Sequence, residues 1–408
     1  MFTFDENKVQ GSEKTKLSVS FVLLAIYLAF IFFEPQQFFQ GAKEIRITYY
    51  LGIIVISWGL LFGNIEVKKR LLTSKIFLLS ISFFGLCTMS LILNEFPIEK
   101  QIDEINKVFS LFLMVPLLIR GKSDINRLCW LLMIFVTIIT TISMFAYHLA
   151  LLPTRMVSYF RALGASGSNE FGLLMAQLIP FPIIMLRYKG GVVKKGFLLF
   201  SFGTYLYCLT RTHSRSAFLG TLLVLCLLFL KKYLSGKYLL AIILVISVLL
   251  LKTPYSYFER ISTIIEEDTI SEDGNVVYRI DTNRKALKLI EEHPLLGIGI
   301  INYFNYYQKY LSYEGNKFLV IHNTYLQIGA EAGIPALIVF LLIIFLTIKR
   351  YWKNEREFIK TRENFSYLDA VSFSILGYCL IALFQPVLYN RLLYIFMGLA
   401  VVLERKNE

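Results

Sequence analysis

The sequence predicts an all-α, polytopic membrane protein with about twelve transmembrane helices and one large extracytoplasmic helical loop. Three observations predict it. Apolar residues make up 56% of the 408 positions and aromatics 15%, and the mean hydropathy of +0.59 is far above that of an ordinary water-soluble domain. Long runs with few charges recur, each near the roughly 20 residues a helix needs to cross about 30 Å of hydrocarbon. The cations collect in alternate connections between those runs.

Twelve runs fit the description: 17 to 33, 48 to 63, 76 to 93, 108 to 119, 128 to 152, 170 to 186, 196 to 210, 216 to 230, 238 to 251, 334 to 348, 367 to 385 and 388 to 403. Those at 108 to 119 and 238 to 251 are short, and flanking Lys and Arg reaching to the interface would complete them. With the N-terminus taken as cytoplasmic, the basic segments Lys68 to Arg70, Arg120 to Arg127, Arg187 to Lys195, Lys231 to Lys237 and Lys349 to Asn364 fall on the inner side, with both tails. That side carries a charge of +14 and the other −1, which together make the net +13 of the chain. The basic charge is that of anchoring loops and calls for no nucleic-acid partner.

No cleavable signal peptide is expected, because a polar, mixed-charge stretch precedes the first run and no small-residue cleavage site follows it. Cys87, Cys129, Cys208, Cys226 and Cys379 all lie in or at the edge of apolar runs, so neither disulfides nor a zinc site is expected. Residues 1–408 read as one membrane domain, with 252–333 inserted between the ninth and tenth runs.

A connection of that size is far longer than closing a turn requires, and such loops usually carry function or disorder. Ile280, Leu287 and Ile290 stand at near-helical spacing, which predicts a helix that Pro294 stops. Gly297 and Gly299 allow a tight turn before the aromatic run Tyr303, Phe304, Tyr306, Tyr307. The acidic stretch EEDTISED, Glu266 to Asp273, reads as a solvated loop. Its acids do not alternate ahead of Gly274 as in a calcium loop, and it has no DxD pair, so no metal and no cofactor are expected.

Three segments carry a resemblance. An arginine, Arg279, stands ahead of HPLLGIG and is followed by HNTYLQIGAEAG; THSRSAFLG spans Thr212 to Gly220; RALGASGSNEFG spans Arg161 to Gly172. Together they resemble the O-antigen ligase and O-antigen polymerase family of bacterial membrane glycosyltransferases, of the C-type glycosyltransferase kind. One position departs from the pattern: where that family often has tryptophan four residues after the arginine, this chain has Asn283. The resemblance implies glycosyl transfer from an undecaprenyl diphosphate-linked glycan to a glycan acceptor hydroxyl, outside the cytoplasmic membrane of a bacterium. It implies no nucleotide sugar and no obligatory metal. It also implies the lipid bilayer and other polysaccharide-assembly proteins, a flippase and a chain-length regulator, as partners.

The residues suit that chemistry. A departing diphosphate needs fixed positive charge, and the planar fork of arginine grips phosphate oxygens two at a time and never deprotonates. Arg155, Arg161, Arg211, Arg215, Arg260, Arg279, Arg284 and Arg391 lie on the expected outer side. Arg215 and Arg279, at motif positions, are the catalytic candidates, and His322 is the candidate base for the acceptor hydroxyl. Arg161, Asn169, Arg211, Asn323 and Tyr325 are the substrate-binding candidates.

Each has a plainer rival. His322 at a helix entrance can simply be a hydrogen-bonding residue, Arg215 an interfacial arginine that snorkels, and Arg279 a solvated charge on an amphipathic helix. Arg211 and Arg215 would share a face if their helix continued. His293 reads as a helix-end residue and His148 as a hydrogen-bonding histidine deep in an apolar run. Glu331, nine residues from His322, would face away from it on a continuous helix and bind arginine or backbone elsewhere.

The functional expectation is polymerisation of lipid-linked repeat units into a cell-surface polysaccharide, with ligation of a finished glycan to a different acceptor as the close alternative. A flippase or transporter would also need many helices, but calls for inverted repeats and ionisable groups near the midplane. Here the polar motifs crowd the expected outer loops instead.

Overall fold

Ser18, Ser74 and Ser214 each start a helix by accepting the backbone N–H three residues ahead, from Phe21 at 3.1 Å, Phe77 at 3.2 Å and Ala217 at 3.4 Å. Each thereby satisfies a donor that the first helical turn would leave unpaired. The computed structural model describes residues 17–35, 47–63, 71–94, 99–152, 155–160, 167–187, 191–237, 240, 274–310, 320–360 and 367–404. The described secondary structure is helical, without strands. The helices are α1 (Val19–Phe33), α2 (Ile47–Phe62), α3 (Lys75–Ile92), α4 (Glu99–Leu118), α5 (Lys122–His148), α6 (Ser168–Leu178), α7 (Pro180–Met185), α8 (Val192–Thr212), α9 (Arg215–Leu230), α10 (Gly274–Glu292), α11 (Tyr303–Tyr310), α12 (Thr324–Lys360), α13 (Tyr367–Ile381) and α14 (Arg391–Glu404).

Four described helices are long and apolar enough to cross a membrane: Lys75–Ile92, Lys122–His148, Val192–Thr212 and Thr324–Trp352. Four shorter ones, α1, α2, α9 and α13, are apolar as well. Leu61, Leu230 and Phe345 are among many large apolar side chains turned outward, a surface that suits hydrocarbon far better than water. Inside, Thr137 bonds to Ser201 at 2.8 Å and to Tyr205 at 2.9 Å between α5 and α8, the hydroxyl pairing by which helices recognise one another in an apolar solvent.

Several boundaries differ from those the hydropathy predicts. The short run at 108 to 119 is the second half of α4, which contains Pro116. The run at 170 to 186 is two helices, α6 and α7, with Pro180 and Pro182 at the start of the second. The run at 334 to 348 begins at a break inside α12, where Gly333 has φ 86 and ψ 167. Most of the run at 238 to 251, and the acidic stretch Glu266 to Asp273, lie outside the described residues.

Contacts sort the helix ends into two sets. The end of α12 meets the end of α14 and the start of α3, through Arg350 to Glu404 at 3.4 Å and Ser74 to Glu404. The end of α9 meets the start of α13 at Lys231 and Asp369, 3.9 Å apart. The opposite ends gather the motifs: Thr324 N donates to Ala382 O at 2.8 Å, joining the start of α12 to the end of α13. The basic segments that contain Lys231 and Lys349 thus lie at the far end from the motif residues.

Between α10, α11 and the first turns of α12 lies a second, smaller core of Ala286, Leu289, Ile298, Tyr303, Tyr307, Ile321 and Ala330. The face of α10 that packs is not the one its aliphatic residues predict. Thr282, Ala286 and Leu289 are buried, whereas Ile280 and Leu287 are exposed, because the small side chains allow α10 to lie close to α12. The HPLLGIG turn docks at the α12 break: Ile334 N donates to Pro294 O at 2.8 Å and Ile298 N to Ala330 O at 3.0 Å. Gly297, at φ 63, and Gly333 meet the opposing backbone with no room for a Cβ.

Gly333 occupies a region of backbone space open almost only to glycine, where another residue costs about 1–3 kcal/mol of strain. A Cβ there would also collide with the Leu295 carbonyl. Gly333→Ala is therefore expected to lower the melting temperature and the monodisperse yield in detergent. An unchanged melting curve would show that the turn does not depend on this contact.

Candidate functional site

The loop Val320 to Asn323 delivers His322 to the mouth of α12. Asn323 accepts from Tyr325 N at 2.9 Å and Leu326 N at 3.1 Å through Oδ1, so it caps α12 and halts the helix one residue short of the histidine. His322 is half-buried, and its Nδ1 lies 2.9 Å from the Val320 carbonyl. A carbonyl oxygen only accepts, so Nδ1 carries the proton and neutral imidazole keeps its lone pair on Nε2. Burial, then the positive charge of Arg279, push its pKa down to about 4, partly offset by the Val320 bond. The ring stands edge-on to Tyr278, centroids 5.6 Å apart, and Tyr278 Oη accepts from Val320 N at 3.1 Å.

Arg279 therefore reaches His322 electrostatically because α10 lays Tyr278 and Arg279 alongside the loop. Ile290, three turns on, packs against Gly329 of α12 and holds the two elements in register. Tyr325 points inward and donates from its hydroxyl to Cys379 O at 3.0 Å, which ties α12 to α13. Glu331 accepts from Ile301 N at 3.0 Å, Tyr303 N at 3.3 Å and Gln327 Nε2 at 3.1 Å. It binds backbone away from His322, at the entry to α11.

The THSRSAFLG segment is a sharp turn. α8 ends at Thr212, His213 takes a left-handed conformation at φ 53, and Ser214 caps α9. Arg211 and Arg215 consequently lie on two helices and share no continuous face. The Arg211 guanidinium stacks over Tyr207, 5.5 Å from the ring centroid, and Arg215 opens α9 half-exposed. Asn169 approaches this turn from α6: its Oδ1 accepts from Arg155 Nη2 at 3.2 Å, and Arg155 Nε donates to Thr212 O at 3.2 Å. Gly172 lets α6 press against Ala217, Ser214 and Thr212.

Two of the three motifs thus meet at the turn, and the third joins them through Gln385. Its Nε2 donates to Ser214 Oγ at 3.2 Å and to Ser216 Oγ, while its backbone carbonyl accepts from Thr324 Oγ1 at 2.6 Å. Arg161 and Arg260 lie outside the described residues. Arg391 is buried, with Nη1 3.4 Å from both Ile31 O and Glu34 Oε1, so it serves the joint between α1 and α14. His148 is not deep in the bundle: it ends α5, exposed, and pairs with Tyr207 Oη at 2.8 Å. His293 follows the end of α10 as a helix-end residue.

Residues 200–341 match a family model described as O-antigen ligase. This part of the chain is similar to the O-antigen ligase family. No curated protein matches the chain. The O-antigen ligase segment holds Arg211, Arg215, Arg279, His322, Asn323 and Tyr325, whereas Asn169 and Gln385 come from outside it. It supports a membrane enzyme of the broad O-antigen ligase and polymerase type. Sequence reasoning gave Tyr278 and Gln385 no role and counted Arg155 only among the outer-side arginines. A polar residue ending an apolar run was the available signal for Gln385, and a tyrosine adjacent to the motif arginine was that for Tyr278.

The depressed pKa has a signature that needs no substrate. Diethyl pyrocarbonate attacks neutral imidazole, so an ordinary histidine loses reactivity as pH falls through about 6.5, whereas His322 should keep its reactivity until pH falls toward about 4. Arg279→Gln should move that midpoint upward. A wild-type midpoint near 6.5 would mean that His322 is solvated and not held as described.

Proposed function

We propose that this chain polymerises undecaprenyl diphosphate-linked repeat units into a cell-surface polysaccharide, working at the outer face of a bacterial cytoplasmic membrane. The observation that carries the reading is the pairing of a neutral, Nε2-basic His322 with Arg279 at one end of the helix bundle. In this reading the acceptor hydroxyl attacks the anomeric carbon of the donor glycan and gives its proton to His322 Nε2. The bond from that carbon to the diphosphate breaks, its electron pair leaves with the lipid diphosphate, and Arg279 and Arg215 hold the charge that builds there.

Base and clamp assist each other. Imidazolium beside Arg279 is unfavourable in the empty site, which is part of why the pKa is low. A diphosphate between them would cancel the arginine's field and strengthen the base when donor is bound. Asn169, Arg211 and, outside the described residues, Arg161 would border the donor. Asn323 and Tyr325 would act by fixing the His322 loop. The reading includes twelve spans, both termini in the cytoplasm, insertion 252–333 outside, and a flippase and chain-length regulator as neighbours. Ligation to a different acceptor is the second reading, favoured by the description of the matched family.

Purified protein given undecaprenyl diphosphate-linked repeat units alone should produce a ladder of lengthening products. No product until a second acceptor is added would favour ligation, and no transfer under either condition would remove both readings. His322→Ala should lower the transfer rate by roughly 10² to 10⁴ while keeping a normal size-exclusion profile. A wild-type rate would return His322 to a packing role.

The orientation is tested separately in a cysteine-free background. A membrane-impermeant maleimide should label Glu292→Cys in intact cells and Lys232→Cys only after permeabilisation. Labelling of both from one side would overturn the assignment of the two ends.

A further inference from the structure

Gln385 follows α13, outside the matched segment 200–341, and is 2% exposed. It sits between the two loops that carry the candidate arginine and base. Its Nε2 reaches Ser214 and Ser216, the residues on either side of Arg215. Its backbone carbonyl accepts from Thr324 Oγ1 at 2.6 Å, two residues after His322, and Thr324 Oγ1 in turn accepts from Val387 N at 2.9 Å. Its Oε1 is buried without a hydrogen-bond partner. A buried amide is held by its hydrogen bonds, and the two serines fix this side chain.

We infer that Gln385 is a positioning residue that sets the placement of Arg215 relative to His322, an inference that rests on the transferase reading above. The turn between α8 and α9 and the loop before α12 are far apart in sequence, and each is capped locally, by Ser214 and by Asn323. Local capping fixes each loop but not the separation of the two. Gln385 reaches both with one residue, its side chain on the turn and its backbone on α12. Displacement of a reacting group by about 1 Å can cost on the order of 10²-fold in rate. Losing the bridge should therefore act on turnover, whereas the charge of Arg215, which remains, should keep the donor bound.

The test uses full-length protein in detergent with a lipid diphosphate-linked oligosaccharide as donor. Gln385→Met removes both side-chain bonds at similar size, and Ser216→Ala removes one hydroxyl without opening a large cavity. Each should lower kcat by about 10- to 100-fold and leave the donor KM near wild type, with Ser216→Thr, which keeps the hydroxyl, restoring most of the rate. The double variant should be no worse than the poorer single, because both break one bridge.

Wild-type kcat in folded Gln385→Met, or losses that multiply in the double variant, would overturn the inference. So would loss of folded protein in both single variants, which would make the bridge an element of the fold alone. His322→Ala run in parallel separates the two levels. If it is inactive while Gln385→Met turns over normally, only the bridge is refuted; if it is fully active, His322 is not the base and the bridge that places Arg215 relative to it falls, whereas the transferase reading itself falls only if the wild-type protein transfers nothing.

Discussion

The break in α12 at Gly333 is the constraint on which the rest of the site depends. A helix interrupted at membrane depth frees backbone groups that lipid cannot satisfy, so protein must do so. Here the HPLLGIG turn does: Pro294 O takes the Ile334 N–H, and Ala330 O takes that of Ile298. Ser90 Oγ donates to Glu331 O at 2.6 Å from α3. The Glu331 side chain then accepts from Ile301 N and Tyr303 N, two backbone donors that the turn would otherwise leave unpaired. The loop needs the broken helix for its partners, and the broken helix needs the loop.

The geometry of the candidate site follows from that exchange. Once the turn is seated, α10 has one place to lie, with Ile290 against Gly329 and Tyr278 against the His322 loop. Arg279 comes with it. The same packing that positions the arginine removes water from the histidine, so burial and charge act in one direction on the imidazole. The imidazole is thereby held neutral by its surroundings, and the Val320 carbonyl sets its tautomer without a carboxylate.

Much of this was legible in the sequence, and the parts that were not share a cause. Pro294 marked the end of α10, and the spacing of Arg279, HPLLGIG and HNTYLQIGAEAG singled out the segment that the O-antigen ligase family model matches; the run starting at 334 marked the second part of α12 but not the helix from Thr324 that reaches it across the break at Gly333. The spacing of Ile280, Leu287 and Ile290 announced the helix but not its packed face, since close helix packing buries Thr282 and Ala286 and leaves Ile280 and Leu287 exposed. The runs at 196 to 210 and 216 to 230 set a connection at RTHSR, but its sharpness was not legible, because the segment has no proline or glycine and the turn rests on His213 in a left-handed conformation. Gln385 and Tyr278 act through partners more than 40 positions away, and no local pattern encodes that distance.

That separation bears on how such a site is built. The matched segment brings the arginines and the histidine, yet two of the contacts that place them come from Asn169, through Arg155, and from Gln385. Fixed charges in a low-dielectric setting act over several ångströms, so a guanidinium tolerates small displacement when it only has to bind a diphosphate. Proton removal does not, because the base must lie within hydrogen-bond reach of the attacking hydroxyl. In the proposed reaction, the elements outside the matched segment would therefore bear more on the step in which hydroxyl, anomeric carbon and diphosphate line up than on the affinity for the lipid.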